Sequence, residues 1–205
     1  MPVTPKPKGR HHHGALRRAL LDAVAELVLE QGPEAVTLRE CARRAGVSHS
    51  AAAPHFGDKR GLLTASATEG AERLAQAMED ALAVLPQGAD PAARLAATGR
   101  GSIAFARANP AHFRLMFRTD PRLWAAGERS FELLSDAMAA LTPDLDERAR
   151  RARLTLAWAG VHGFCALRAE GAGVQLWSPE ARATEAAEDL LALIVAACAA
   201  PVRTG

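Results

Sequence analysis

The sequence predicts an all-α protein of about nine helices with no sheet. Three observations carry that expectation. Apolar residues recur at intervals of three and four along most of the chain, the period of one helix face. Alanine, the best helix former, is abundant, and clusters of β-branched residues are almost absent. At five places a helix-capping residue stands directly before proline: Asp90-Pro91, Asn109-Pro110, Asp120-Pro121, Thr142-Pro143 and Ser178-Pro179. Proline is tolerated in the first helical turn, where the N–H it lacks would have no partner, so each pair predicts a helix start.

Taken in order, residues 1–13 are rich in Pro, Lys, Gly and His and read as a mobile basic arm. From about Ala15, Leu16, Leu20, Val24, Leu27 and Val28 mark the first helix. It stops at "EQGPE", with Gly32 as its C-terminal cap. Thr37 is an N-cap, and Glu40 three residues on completes a capping box for a short helix running to about Ala45. Gly46 breaks that helix and Ser48 caps the next, which Pro54 is expected to end near Ala53. A fourth helix starts at Gly57-Asp58 and ends before Pro86. The proline pairs set the starts beyond it, and the last two helices read as about Pro143–Glu170 and Pro179–Ala200. "EGAGVQLW", from Glu170, is the one longer loop between helices.

Charge is distributed unevenly. Residues 1–60 hold ten Lys and Arg against six Asp and Glu, a net of +4, whereas 61–205 hold fifteen against seventeen, a net of −2. A basic N-terminal segment on a mildly acidic body points to a polyanion as partner of the first part. The three cysteines, Cys41, Cys165 and Cys198, are far apart and form no CxxC pair, which speaks against a disulfide scaffold or zinc finger and for a reducing, cytoplasmic setting. The first ten residues lack the apolar core of a signal peptide. The apolar run from Leu190 is about 13 residues, short of the ~20 that span a bilayer, so no membrane partner is expected. No nucleophile motif, phosphate loop or metal-ligand spacing stands out. Neither enzyme activity, nor a cofactor, nor a metal is expected.

A long helix, a short helix, a glycine turn and a second short helix make a helix-turn-helix layout over 14–60, in which the last helix enters the major groove of DNA. "LRRALLDAVAELVLEQGPEAVTLRECARRAGVSHSAAAPHFGDKRGLL" resembles the N-terminal domain of the tetracycline-repressor (TetR) family of bacterial transcription regulators. The matching features are Gly32, Thr37, the "AGVS" of Ala45–Ser48, the "HF" of His55-Phe56, Lys59 and Leu62-Leu63. "WAGVHG", Trp158–Gly163, and "NPAHFRLMF", Asn109–Phe117, resemble one subgroup with a Trp-His-Gly type C-terminal domain. The resemblance implies a homodimer on a double-stranded DNA operator, joined through the last two helices. It also implies repression relieved by a small, largely apolar effector that is not identified by the sequence.

Roles follow residue by residue. Thr37 and Lys59 stand at helix N-termini, which hold phosphates well, and the resemblance places both on the DNA backbone. Arg39, Arg43 and Arg44 are further cations near them. Ser48, His49, Ser50, Ala51 and His55 are the residues offered to base edges or backbone. Where family members generally carry a Tyr, this chain has Ala53, and Pro54 stands where a polar residue is usual. With no Arg, Asn or Gln on the reading helix, direct readout is expected to be weak, and shape, phosphates and an arm carrying Lys6, Lys8 and Arg10 gain weight. His11, His12 and His13 run directly into "GALRRALL", as does the aromatic-His-His-Gly stretch of the resembled subgroup, so they read as native rather than as a purification scar.

In the body, 61–205, Phe105, Phe113, Met116, Phe117, Trp124, Phe131, Trp158 and His162 are the candidate effector-binding residues, with Met138 and Phe164 among the other large apolar side chains. For any one of them the plainer reading is core. Gly163, inside a helix, suggests close helix packing. A competing reading is a relative that has lost specific DNA binding and only binds a small molecule or protein.

Overall fold

A computed structural model describes residues 10–117, 127–171 and 180–201. The described residues form nine α-helices and one 3-10 turn joined by short links, with no strand among them. They are α1 (Arg10–Gln31), a 3-10 turn (Pro33–Ala35), α2 (Leu38–Arg44), α3 (His49–Phe56), α4 (Lys59–Ala83), α5 (Pro91–Ala108), α6 (Pro110–Met116), α7 (Glu128–Leu141), α8 (Glu147–Ala169) and α9 (Glu180–Ala199). No helix among the described residues is long and apolar enough to cross a membrane.

The chain forms two compact units. One takes in residues 1–70 and 111–123, the other 71–110 and 124–205. In the first, the period seen in the sequence is the buried stripe of α1: Leu20, Leu21, Val24, Leu27 and Val28 are sealed with Val36, Leu38, Cys41, Ala52 and Leu62, and with Ala111 and Leu115 from α6. Arg18 of α1 pairs with Asp22 at 2.6 Å and also with Glu69 of α4. The second unit closes around Leu95, Ala137, Met138, Ala157, Ile194 and Cys198. Arg153 of α8 caps the end of α9, donating to the Cys198 carbonyl at 2.6 Å and to the Ala200 carbonyl.

Several boundaries differ from the expectation. The first helix begins at Arg10, so His11–His13 lie in its first turn and not on an extended arm. Pro54 sits inside α3, which continues to Phe56. In so short a helix, proline removes only the bond that residue 54 would make to the residue 50 carbonyl. Asp90-Pro91 starts α5 as expected, with Asp90 Oδ1 accepting the Ala93 N–H at 2.7 Å. Asn109 precedes α6 but turns back, its amide donating to the Phe105 carbonyl at 3.2 Å and its Oδ1 accepting from Arg73 at 2.8 Å. Thr142-Pro143 starts nothing. The Thr142 hydroxyl donates to the Met138 carbonyl at the end of α7, and α8 begins four residues after Pro143, capped by Asp146. A Thr hydroxyl can close a helix as readily as open one, and nothing local decides between the two. Asp120-Pro121 and Ser178-Pro179 lie outside the described residues.

Gly163 meets nothing within 4 Å among the described residues, so the close packing expected there is not found among them. The tight approaches are at Gly101, Gly99 and Gly160. A Cβ on Gly101 would come within 2.5 Å of Ala77 O and Met78 Cα, on Gly160 within 2.8 Å of Ile194, and on Gly99 would run into the Leu191 side chain.

Candidate nucleic-acid interface and effector cavity

The turn between α2 and α3 is built by Gly46, whose φ of +68° only glycine adopts freely, and by Val47, whose N–H returns to the Ala42 carbonyl at 2.9 Å. Caps fix both helix starts. Thr37 Oγ1 accepts the Glu40 N–H at 3.1 Å, and Ser48 Oγ accepts the Ala51 N–H at 3.2 Å. The Glu40 carboxylate faces Arg43 at 2.6–2.8 Å and Arg44 at 3.3 Å, so the reciprocal half of the expected capping box is replaced by ion pairs. Those bonds, Arg43 first and Arg44 after it, pull the Glu40 carboxyl down to about 2.

On α3, Ala52 is fully buried and Ala53 and Phe56 pack against the core, which fixes the helix's rotation. His49, Ser50 and Pro54 are then exposed, Ser50 and Pro54 one turn apart on the same face. Ser48 is exposed and 3.0 Å from Ser50, Ala51 is half-buried, and His55 is half-buried beside Phe56. Thr37 and Arg39 are exposed at the start of α2. Lys59 stands at the start of α4, as expected, but its Nζ donates to the Glu34 carbonyl at 2.9 Å. Arg44 is anchored to Glu30 of α1 by two bonds of 2.6 and 2.9 Å, which makes it a strut between α1 and α2. A residue absent from the sequence reading also shapes this unit: Arg17 stacks over the Phe56 ring at 5.6 Å, tying α3 to α1. Lys6 and Lys8 lie outside the described residues, as does the side chain of Arg10.

The candidate effector residues scatter. Phe113 and Phe117 meet edge to face at 5.2 Å in the first unit, where Met116 lies against Gly70. Phe105, Met138 and Phe164 are buried in the second unit. Phe131 is 62% exposed and Trp158 43% exposed, so neither is enclosed by the described residues. Trp158 and His162 do come together, ring centroids 5.9 Å apart, and burial lowers the His162 pKa. Trp124 lies outside the described residues. A cavity of about 390 Å³ in the second unit is lined by other residues, among them Arg100, Ile103, Arg107, Cys165, Arg168 and Leu191, and by none of the seven expected ones that lie among the described residues. Its signal was on α5, where Arg100, Ile103 and Arg107 recur at intervals of three and four, a mixed basic and apolar stripe. Among the described residues no group of His, Cys, Asp and Glu is arranged to hold a metal ion.

Two family models match. "Bacterial regulatory proteins, tetR family" matches residues 20–65, over α1 to α3 and into α4, and "Tetracyclin repressor-like, C-terminal domain" matches residues 95–194. Together they take in more than two thirds of the chain. The chain belongs to the TetR family. Among similar proteins, the HTH-type transcriptional regulator BetI of Escherichia coli (strain K12 / DH10B) is 42% identical over 72 residues, 35% of this chain. Those residues span 37% of BetI's length, so this likeness concerns one part of that protein. A solved protein of unknown function from Rhodococcus sp. RHA1 is 29% identical, with a TM-score of 0.69 over 90% of this chain and 98% of its own. The TetR family transcriptional regulator PfmR from Thermus thermophilus, 24% identical, shares the fold with a TM-score of 0.62 over 86% of this chain and 97% of its own. The glycine turn at Gly46 and the exposed start of α3 both fall within the residues that the first of these models matches.

Proposed function

We propose that this protein is a homodimeric transcriptional repressor that binds a double-stranded DNA operator through α2 and α3 and is released by a small effector, within the Trp-His-Gly subgroup of its family. The observation that carries the reading is the start of α3. Ala52 and Phe56 hold the helix by its inner face, which leaves Ser48, His49 and Ser50 outward at an N-terminus whose backbone N–H groups favour phosphate. Thr37, Arg39, Ala51, His55 and Lys59 are the proposed supporting contacts, with the arm of Lys6, Lys8 and Arg10 preceding them.

Dimerisation through α8 and α9 is supported by what those helices leave uncovered. Leu156, Ala159, Gly163 and Leu167 recur at intervals of three and four on α8; Leu156 and Leu167 are close to half exposed, and Leu193 on α9 is 69% exposed. A contiguous apolar face of this kind marks an interface. Open space at Gly163 is then room for the partner's helix. Two heads held about one helical turn of DNA apart, ~34–36 Å, would read a two-fold operator, and an effector would act by changing that separation.

Fluorescence anisotropy across a salt series, with the chain's own upstream DNA against random DNA, tests the reading. A specific complex that survives salt better than the random one is expected. Equal binding to both, or none, is the result expected of a relative that only binds a small molecule or protein; the absence of Arg, Asn and Gln from α3 is what favours that alternative.

A further inference from the structure

We propose that the second turn of α3 selects thymine by its 5-methyl group, which it covers with the ring of Pro54, and not by hydrogen bonds to base edges. The inference rests on the reading of α3 as the helix that enters the major groove, and it names what that helix reads there.

The rotation of α3 is fixed from inside. Ala52 is fully buried, and Ala53 and Phe56 pack against the core of the first unit. The line left outward is Ser50 and Pro54, four residues apart and both exposed, with half-buried Ala51 beside it. Ser48 is exposed as well, but its Oγ is 3.0 Å from that of Ser50 and accepts the Ala51 N–H at 3.2 Å. The two hydroxyls carry two protons. One is taken by the bond between them, so the pair keeps a single donor for anything outside. Exposed His49 adds a ring N–H at the same end. The polar capacity of the outward face is thus gathered in the first turn of α3.

The second turn presents carbon. Pro54 offers ring methylenes and no N–H, and Ala51 a methyl. In the major groove every base pair shows hydrogen-bonding edges, and the one apolar group is the methyl of thymine. Against G·C, an apolar turn would strip water from the guanine acceptors and return no bond. Against thymine, the same turn covers a methyl, which gains by leaving water. Ser50, Ala51 and Pro54 are also short, so no long side chain on this line holds the helix away from the groove floor. The absence of Arg, Asn and Gln from α3 then marks a different code and not a lost one.

The test uses the full chain and the duplex it enriches most from a randomised pool. Single thymines are replaced by deoxyuridine, which differs only in lacking the methyl, and affinity is read by fluorescence anisotropy. A short run of thymines is expected at which each replacement weakens binding about four-fold, the worth of one buried methyl. At a T·A pair of that run, C·G should weaken binding roughly ten-fold, and 5-methylcytosine in the same pair should recover about four-fold of the loss. Pro54→Ser should bring thymine and uracil duplexes to equal affinity, whereas Pro54→Leu, which keeps an apolar side chain, should preserve the preference; circular dichroism should show both variants as helical as the parent. Uracil bound as well as thymine throughout the enriched duplex, or a thymine preference that survives Pro54→Ser undiminished, would overturn the inference and leave sequence-specific DNA binding standing. Enrichment of no sequence would overturn the inference together with the reading on which it rests.

Discussion

At the residue scale, Thr37 is asked to do two things. Its Oγ1 accepts the Glu40 amide at 3.1 Å, and the same hydroxyl, exposed, still has a proton to donate to a phosphate. The two roles separate by substitution. Thr37→Ala removes the cap and should cost about 1 kcal/mol in chemical denaturation. Thr37→Asp keeps an accepting oxygen at the N-cap, so stability should hold, while its negative charge should weaken DNA binding in the anisotropy assay. A Thr37→Asp protein with undiminished DNA affinity would leave Thr37 as a cap only. Arg44 illustrates what spacing hides: the sequence offers it as one more cation near Thr37 and Lys59, whereas Glu30, fourteen residues away, makes it structural.

At the element scale, the glycines give the sharpest contrast. Gly101 on α5 meets the backbone of α4, which cannot swing aside as a side chain would, so Gly101→Ala should lose about 1–3 kcal/mol of stability. Gly163 on α8 meets nothing among the described residues, so Gly163→Leu should leave the monomer's helicity unchanged. If α8 and α9 form the dimer seam, the same substitution should shift the protein toward monomer in sedimentation velocity; an unchanged dimer would place the seam elsewhere. Glycine at 101 and at 163 looks equally permissive in the sequence. Only the path of a second helix distinguishes them.

At the scale of the whole molecule, ion pairs and one half-buried histidine set the acid side of stability. Burial lowers the His162 pKa below its ordinary value, so the unfolded chain binds this proton more readily than the folded one. Stability should begin to fall as pH drops below about 6.5. Glu40, Glu30 and Glu188 have carboxyl pKa values lowered by arginine partners. Their contribution is complete above about 4.5 and is lost as pH falls further, for Glu40 down to about 2. Denaturation midpoints between pH 8 and 2 should therefore decline in two steps, and His162→Gln should remove the upper one alone; a single decline below pH 4.5 would contradict the histidine's share. Helix identity, the turn at Gly46, the caps at Thr37, Ser48 and Asp90 and the buried stripe of α1 were legible in the sequence, because each depends on residues within a turn or two of one another. The helix-turn-helix was legible for the same reason. The fate of the aromatic residues was not, since Phe105 and Phe131 differ in no local feature yet one is sealed and the other bare. Nor was the cavity, whose Arg100 and Glu188 stand 88 residues apart. The sequence by itself determined which segments are helices and, at Thr37, Ser48 and Asp90, what caps them, because those choices are made by neighbours along the chain. Only the tertiary structure decided which faces the helices bury and what they enclose, because packing is settled by side chains that meet across long sequence separations.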